Sequence, residues 1–373
     1  MYLLSIVIGL LSGLVAVVIK SSVHLVEYVL RNLDKTVEDY LYFVYPSVGI
    51  LIVILILKFV LKGKIEPGIP NLLYAISKGN GNMGIKGTFS TVLTASITVG
   101  FGGSVGLEGP TAATTGALSS NIGQLLRLDY RKKKMLIGAA ASGALAAIFN
   151  APIAAIVFAL EVIMLDLSVT SLIPLLLASA SATLMSKIYF NDDFLFHFKE
   201  IEPYFFSDII FYVILGILTG FISVQFTNIY FYIEKQFNKI KGDYTKPIIG
   251  GILVGIMIFI FPQLYGEGYP TINALVANDL DTALAPFTLF DLSDNMILGL
   301  VLLFSLPILK SLAASLTLNA GGIGGIFAPT LFIGSSAGFI FGYVLNLMGM
   351  ENVSRSNFTL VGMAGAMAGI LQA

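Results

Sequence analysis

The stretch GFGGSVGLEGPTAATTG, Gly100 to Gly116, decides how the rest of the chain is read. Glu108 is its only ionisable side chain, and the only one between Lys86 and Arg127, with Gly109 and Pro110 directly after it. Glycine permits close backbone approach and unusual dihedrals. Proline suits the first turn of a helix, where its missing N–H costs nothing. The stretch therefore reads as a tight turn opening a helix, with one carboxylate at the junction. Around it lies a chain of 373 residues that is 56% apolar and only 12% charged, with a mean hydropathy of +0.89. A soluble domain carries about a quarter charged residues, so the composition specifies a membrane protein.

Apolar runs fill the sequence: Tyr2–Leu30, Tyr45–Val60, Gly87–Gly103, Met135–Leu160, Ser168–Met185, Ile209–Phe231, Pro247–Phe261, Met296–Leu309 and Pro329–Met348. Some approach the ~20 residues that cross a bilayer as a helix; others fall well short. Short, glycine-interrupted spans point to an all-α polytopic protein with broken, re-entrant helices. Tyr2–Leu30 has neither a basic leader nor a small-residue cleavage site and reads as a retained helix. Cysteine is absent, which removes disulfides and thiol chemistry. The net charge of −1, without a large basic cluster, gives no reason to expect nucleic acid as a partner.

Three pairs of segments align in chain order. FGGSVGLEGPT (Phe101–Thr111) matches AGGIGGIFAPT (Ala320–Thr330), EPGIPNLLYAI (Glu66–Ile76) matches GEGYPTINALV (Gly266–Val276), and ASGALAAIFNA (Ala141–Ala151) matches MAGAMAGILQA (Met363–Ala373). The offsets are 219, 200 and 222 residues. Collinear matches of this kind specify a two-fold repeat, with residues 1–190 as the first half and 191–373 as the second. Basic residues mark cytoplasmic loops. In the first half Lys58, Lys62, Lys64, Lys78, Lys86 and the loop RKKK (Arg131–Lys134) lie where the second half has Glu267, Asp279, Asp281, Asp291, Asp294 and Glu351. The second half's own basic cluster, Lys235 to Lys246, precedes the run matching Tyr45–Val60. The halves are therefore expected to be inverted. Because Pro152–Met185 has no counterpart before Ala373, the repeat pattern is expected to continue beyond that residue.

The repeated turns PGIP, GLEGP and GIFAP each end in proline, so Pro70, Pro110 and Pro329 are expected to open helices. A helix N-terminus carries partial positive charge and unpaired N–H donors. Several converging in mid-membrane make an anion site without a full positive charge, and a weak site lets an ion leave again. Close packing by small residues is the plainer reading of any single such turn. A carboxylate placed there is by default functional: Glu108 reads as the protein's own anion, occupying the site and leaving as a gate. A purely capping role is the alternative.

The three motifs resemble the signatures of the CLC family of chloride channels and anion/proton antiporters: EPGIP (Glu66–Pro70), GLEGP (Gly106–Pro110) and GIFAP (Gly325–Pro329), supported by AAIFNAPIAAIVFALE (Ala146–Glu161). The resemblance implies a homodimer in the membrane, of the bacterial plasma membrane type, with one anion route per subunit. It places Pro67, Gly68, Ile69, Gly109, Ile326, Phe327 and Ala328 around the anion and makes Glu108 both gate and proton carrier. It implies chloride as the anion, no cofactor and no metal. Several positions depart from the family pattern: Pro67 replaces the filter serine, Glu66 the preceding glycine and Leu107 the arginine of GREGP. These leave chloride, nitrate and another halide open. Val162 stands where many antiporters have a second glutamate, which favours channel-like or weakly coupled transport, with full antiport as the alternative. Glu161 then reads as structural. A solute carrier of unrelated fold is the different-class alternative. GGSVG (Gly102–Gly106) imitates a serine-hydrolase turn, but the only histidines, His24 and His197, lie elsewhere in the sequence and supply neither base nor metal site.

Overall fold

The computed structural model describes residues 1–34, 43–60, 68–84, 86–162, 169–190, 206–284, 296–350 and 353–371. Among these the chain is helical: α1 Tyr2–Asp34, α2 Tyr45–Leu55, α3 Ile69–Ser77, α4 Lys86–Gly100, α5 Glu108–Leu125, α6 Tyr130–Phe149, α7 Pro152–Val162, α8 Val169–Phe190, α9 Ile209–Phe237, α10 Thr245–Ile260, α11 Tyr269–Val276, α12 Leu280–Leu284, α13 Met296–Asn319, α14 Phe327–Leu347 and α15 Arg355–Leu371. Five helices among the described residues are long and apolar enough to cross a membrane: Tyr2–Asn32, Ser171–Phe190, Ile209–Phe237, Val301–Asn319 and Phe327–Leu347. The others are shorter, except α6, whose 20 residues begin with the cations Arg131–Lys134.

Two sequence expectations differ in detail. Met135–Leu160 is not one span: Asn150, in the left-handed region at φ 53°, ends α6, and Pro152 opens α7. The RKKK residues do not form a loop but the first turn of α6, started by Asp129, whose side chain accepts from the Lys132 amide at 2.8 Å. A well-placed N-cap outweighs the unfavourable position of cations at a helix N-terminus.

The repeat is visible bond by bond. Residues 219 apart do the same work: Gly103 N donates to Thr98 O and Gly322 N to Thr317 O, at 2.8 and 3.0 Å. Ile323 N donates to Thr98 Oγ1 at 3.0 Å, and its counterpart Ser104 N donates to Thr317 Oγ1 at 3.2 Å. Gly102 and Gly321 take the left-handed turns, at φ 92° and 106°, that reverse the chain after α4 and after α13. Each half thus lends a threonine to the other. The matching helices α2 and α10 run antiparallel, as inversion demands. A methyl on Gly251 would strike Ser47 and one on Gly255 would strike Phe43, while Lys58 at the far end of the first span reaches Asp243, before α10, at 2.8 Å.

Candidate functional site

Where the halves meet, the turns before α5 and α14 lie against each other. Gly106 N donates to Gly325 O at 2.8 Å and Gly325 N to Gly106 O at 2.7 Å. This reciprocal pair satisfies the backbone where no side chain could, and it fixes two helix N-termini back to back. Leu107 and Ile326 are the N-cap residues, 219 apart, with nearly equal dihedrals (φ −96°, ψ −10° and φ −90°, ψ 0°). Neither N-cap residue, being aliphatic, caps its own helix with its side chain. A methyl on Gly109 would come 3.6 Å from the Cα of Gly325 and 3.8 Å from that of Gly68, which precedes α3 at φ 87°. Three uncapped N-termini, at Gly68, Leu107 and Ile326, therefore converge on one backbone-lined place.

Glu108 sits fully buried at that place. Its Oε1 accepts the Tyr269 hydroxyl. Its Oε2 completes no hydrogen bond, and the Ala328 amide is near the carboxylate. Phe327 takes the equivalent position on α14 and packs into an aromatic group with Phe149 and Phe158, at centroid distances of 5.2 and 5.6 Å. Tyr269 joins it edge-on to Phe149 at 6.4 Å.

The structure brings together Gly68, Glu108, Gly109 and Ala328 with the N-caps Leu107 and Ile326. Ile69 opens α3. Glu66, Pro67 and His197 fall outside the described residues. Glu161 is exposed near the end of α7. His24 is exposed on α1, 3.8 Å from Glu27. Ser104 is no nucleophile: its buried Oγ donates to Leu264 O at 2.7 Å.

Sequence reading missed the turn that faces Glu108. Gly266–Gly268 carries Glu267, whose Oε1 accepts from Leu107 N at 3.1 Å, and leads into Tyr269. Lys310, fully buried on α13, donates to the Gly266 carbonyl at 2.8 Å and to that of Leu264 at 3.4 Å, and lies 5.0 Å over the Phe332 ring. Two signals pointed there: the match of GEGYP to EPGIP, and one lysine inside the apolar helix Met296–Asn319.

Comparison with known proteins settles the family, because the voltage gated chloride channel model matches residues 48–373. The chain belongs to that family. It is 27% identical to chloride channel protein CLC-f of Arabidopsis thaliana, over 74% of this chain and 36% of that one. To the H(+)/Cl(-) exchange transporter ClcA of Vibrio cholerae it is 25% identical, over 99% of this chain and 78% of that one. The chain thus spans 36% of the length of the first of these relatives and 78% of the second. Its fold is that of a slow cyanobacterial Cl-/H+ antiporter (TM-score 0.81, 19% identity, 98% of this chain and 84% of that one) and of a CLC-type fluoride/proton antiporter (TM-score 0.76, 21% identity, 98% and 85%). The protein is an integral membrane member of a family of anion channels and exchangers.

Proposed function

We propose that this chain moves small inorganic anions, chloride first, through a site built from the N-termini of α3, α5 and α14 and gated by Glu108. The observation that carries the reading is the buried Glu108 carboxylate, one oxygen held by Tyr269 and the other unpartnered, at the junction of uncapped helix ends. The backbone amides of Gly109, Ile326, Phe327 and Ala328, with Pro67, Gly68 and Ile69 from the first-half turn, are the groups assigned to the anion. A partial charge suits throughput: a lysine at the same place would hold the ion too tightly to release it.

Glu108 is also the proton carrier of this reading, because a carboxylate that competes with anions leaves most readily when neutral. With Val162 in place of a second acid, transport is channel-like or weakly coupled. Full anion/proton exchange is the second reading, favoured by the exchanger names of the ClcA relatives. The working unit is a homodimer in a bacterial plasma membrane. The test is purified protein in liposomes with a chloride gradient and an internal pH probe. A chloride gradient that drives protons uphill establishes exchange and ends the channel-like reading. Glu108→Gln abolishes that coupling and changes chloride efflux while the protein stays folded. A Glu108→Gln protein indistinguishable from the parent would remove Glu108 from its role.

A further inference from the structure

We propose that Glu267 is a second titrating carboxylate of the anion route, competing with the transported anion for the Leu107 amide at the head of α5. The inference rests on the transport reading above and adds a residue to it.

The geometry begins with the turn. Gly266 and Gly268 both take positive φ, 55° and 87°, so the chain folds tightly enough to present the side chain between them to its neighbour. Lys310 fastens the turn from behind through the Gly266 carbonyl, its Nζ 3.4 Å from where a Cβ on Gly268 would stand. In front, Glu267 Oε1 takes the Leu107 N–H at 3.1 Å. Leu107 is the N-cap of α5, and that amide is one of the donors an anion would use there. The protein's own carboxylate is already on it. Two residues further on, Tyr269 holds Glu108 Oε1. One turn therefore engages the head of α5 twice, at the place where the buried Oε2 of Glu108 completes no hydrogen bond.

The counterpart of Glu267 at the 200-residue offset is Pro67, which cannot titrate, so the second acid belongs to one half alone. Glu267 is partly exposed, which gives protons a way to reach it. The charged and titratable groups facing it are Glu108 from α5, Lys310 from α13 and Lys20 from α1, with Tyr269 following on α11. The step is a single proton transfer. A proton from the aqueous side adds to the carboxylate, and the Leu107 N–H passes from the carboxylate oxygen to chloride. No other bond changes. By linkage, chloride binding takes up a proton, and the same coupling makes chloride bind more tightly as pH falls.

Lys20 and Lys310 would give a pH dependence of the same sign, so the experiment must separate them. Chloride affinity is measured by calorimetry on the purified full chain across neutral and acid pH, in the parent, Glu108→Gln, and Glu108→Gln with Glu267→Gln. Glu108→Gln is expected to keep a several-fold tightening of chloride binding on acidification. Adding Glu267→Gln is expected to remove that dependence and leave tight binding throughout. If the dependence survives in the double variant, or is already absent in Glu108→Gln, the proposal is overturned. If the double variant does not fold, the single Glu267→Gln variant replaces it: proton uptake on chloride addition equal to the parent's overturns the proposal. Failure of the transport reading shows differently, as Glu108→Gln liposomes with parental efflux.

Discussion

The turn before α5 and the turn before α14 share three glycine positions, near-equal N-cap dihedrals and their threonine supports, yet one delivers Glu108 and the other Phe327. Around α5 the neighbours are polar: Tyr269 on one carboxylate oxygen and Glu267 on the preceding amide. Around α14 they are rings, Phe149 and Phe158. Similar backbones give the two helix ends similar dipoles. The side chains then differ: one helix end carries a buried carboxylate, and the other an aromatic ring. Under the proposed transport, a site whose halves were alike would bind an anion but have nothing to move aside.

Substitutions at the shared bridge strain this comparison most. A methyl on Gly106 would overlap Glu108 Oε2 and come 3.0 Å from the Ala328 Cβ, whereas one on Gly325 would come 3.2 Å from Gly109 N and would not meet Glu108. Gly106→Ala is expected to lose about 3 kcal/mol and Gly325→Ala about 1 kcal/mol, the range of overpacking costs, read by thermal unfolding in detergent. Chloride efflux should also change more in Gly106→Ala. Equal effects on efflux would mean that the two turns are not specialised.

Tyr269→Phe keeps the ring in its aromatic group and deletes the hydroxyl that holds Glu108. It should cost about 2 kcal/mol, since it leaves a buried acceptor unpaired, and raise chloride efflux by freeing the gate. Unchanged efflux would separate Tyr269 from gating. The threonines test the symmetry itself. Thr98→Val and Thr317→Val each orphan one buried amide of the opposite half, and each should cost about 1–2 kcal/mol. A large difference between the two would show that the halves do not share support equally.

The smallest effect is expected where the halves meet at the surface. The Lys58 ammonium beside Asp243 holds its carboxyl below the usual carboxylate range. Such a group stabilises the fold above its unfolded pKa, and the contribution disappears as pH falls through the lower folded value. Both partners are exposed, so at physiological salt Asp243→Asn should leave the unfolding temperature unchanged. At low ionic strength any deficit of the variant should close as the parent is acidified.

Much of this was legible in residues alone. The offset of 219 between FGGSVGLEGPT and AGGIGGIFAPT forecast two turns with the same backbone, and their prolines forecast helix starts that the structure places two residues earlier, at Glu108 and Phe327. The break at Asn150 was hidden because an apolar run carries no periodic signal once helices are buried on all sides. The tight turn at Gly266–Gly268 was visible as a repeat of EPGIP, but nothing local says that its acid faces inward instead of joining the loop acids Asp279 and Asp281.

By itself the sequence determined the membrane setting, the doubled turn and the single acid at its centre, because composition, repeat offset and glycine–proline spacing are local properties. Only the tertiary structure decided which groups meet that acid. Leu107 and Glu267 are 160 residues apart, Glu108 and Tyr269 161, and the lysine behind the turn sits 44 beyond Gly266. Such pairings are fixed by how two inverted halves lock through Gly106 and Gly325, and that lock exists only after the chain has closed upon itself.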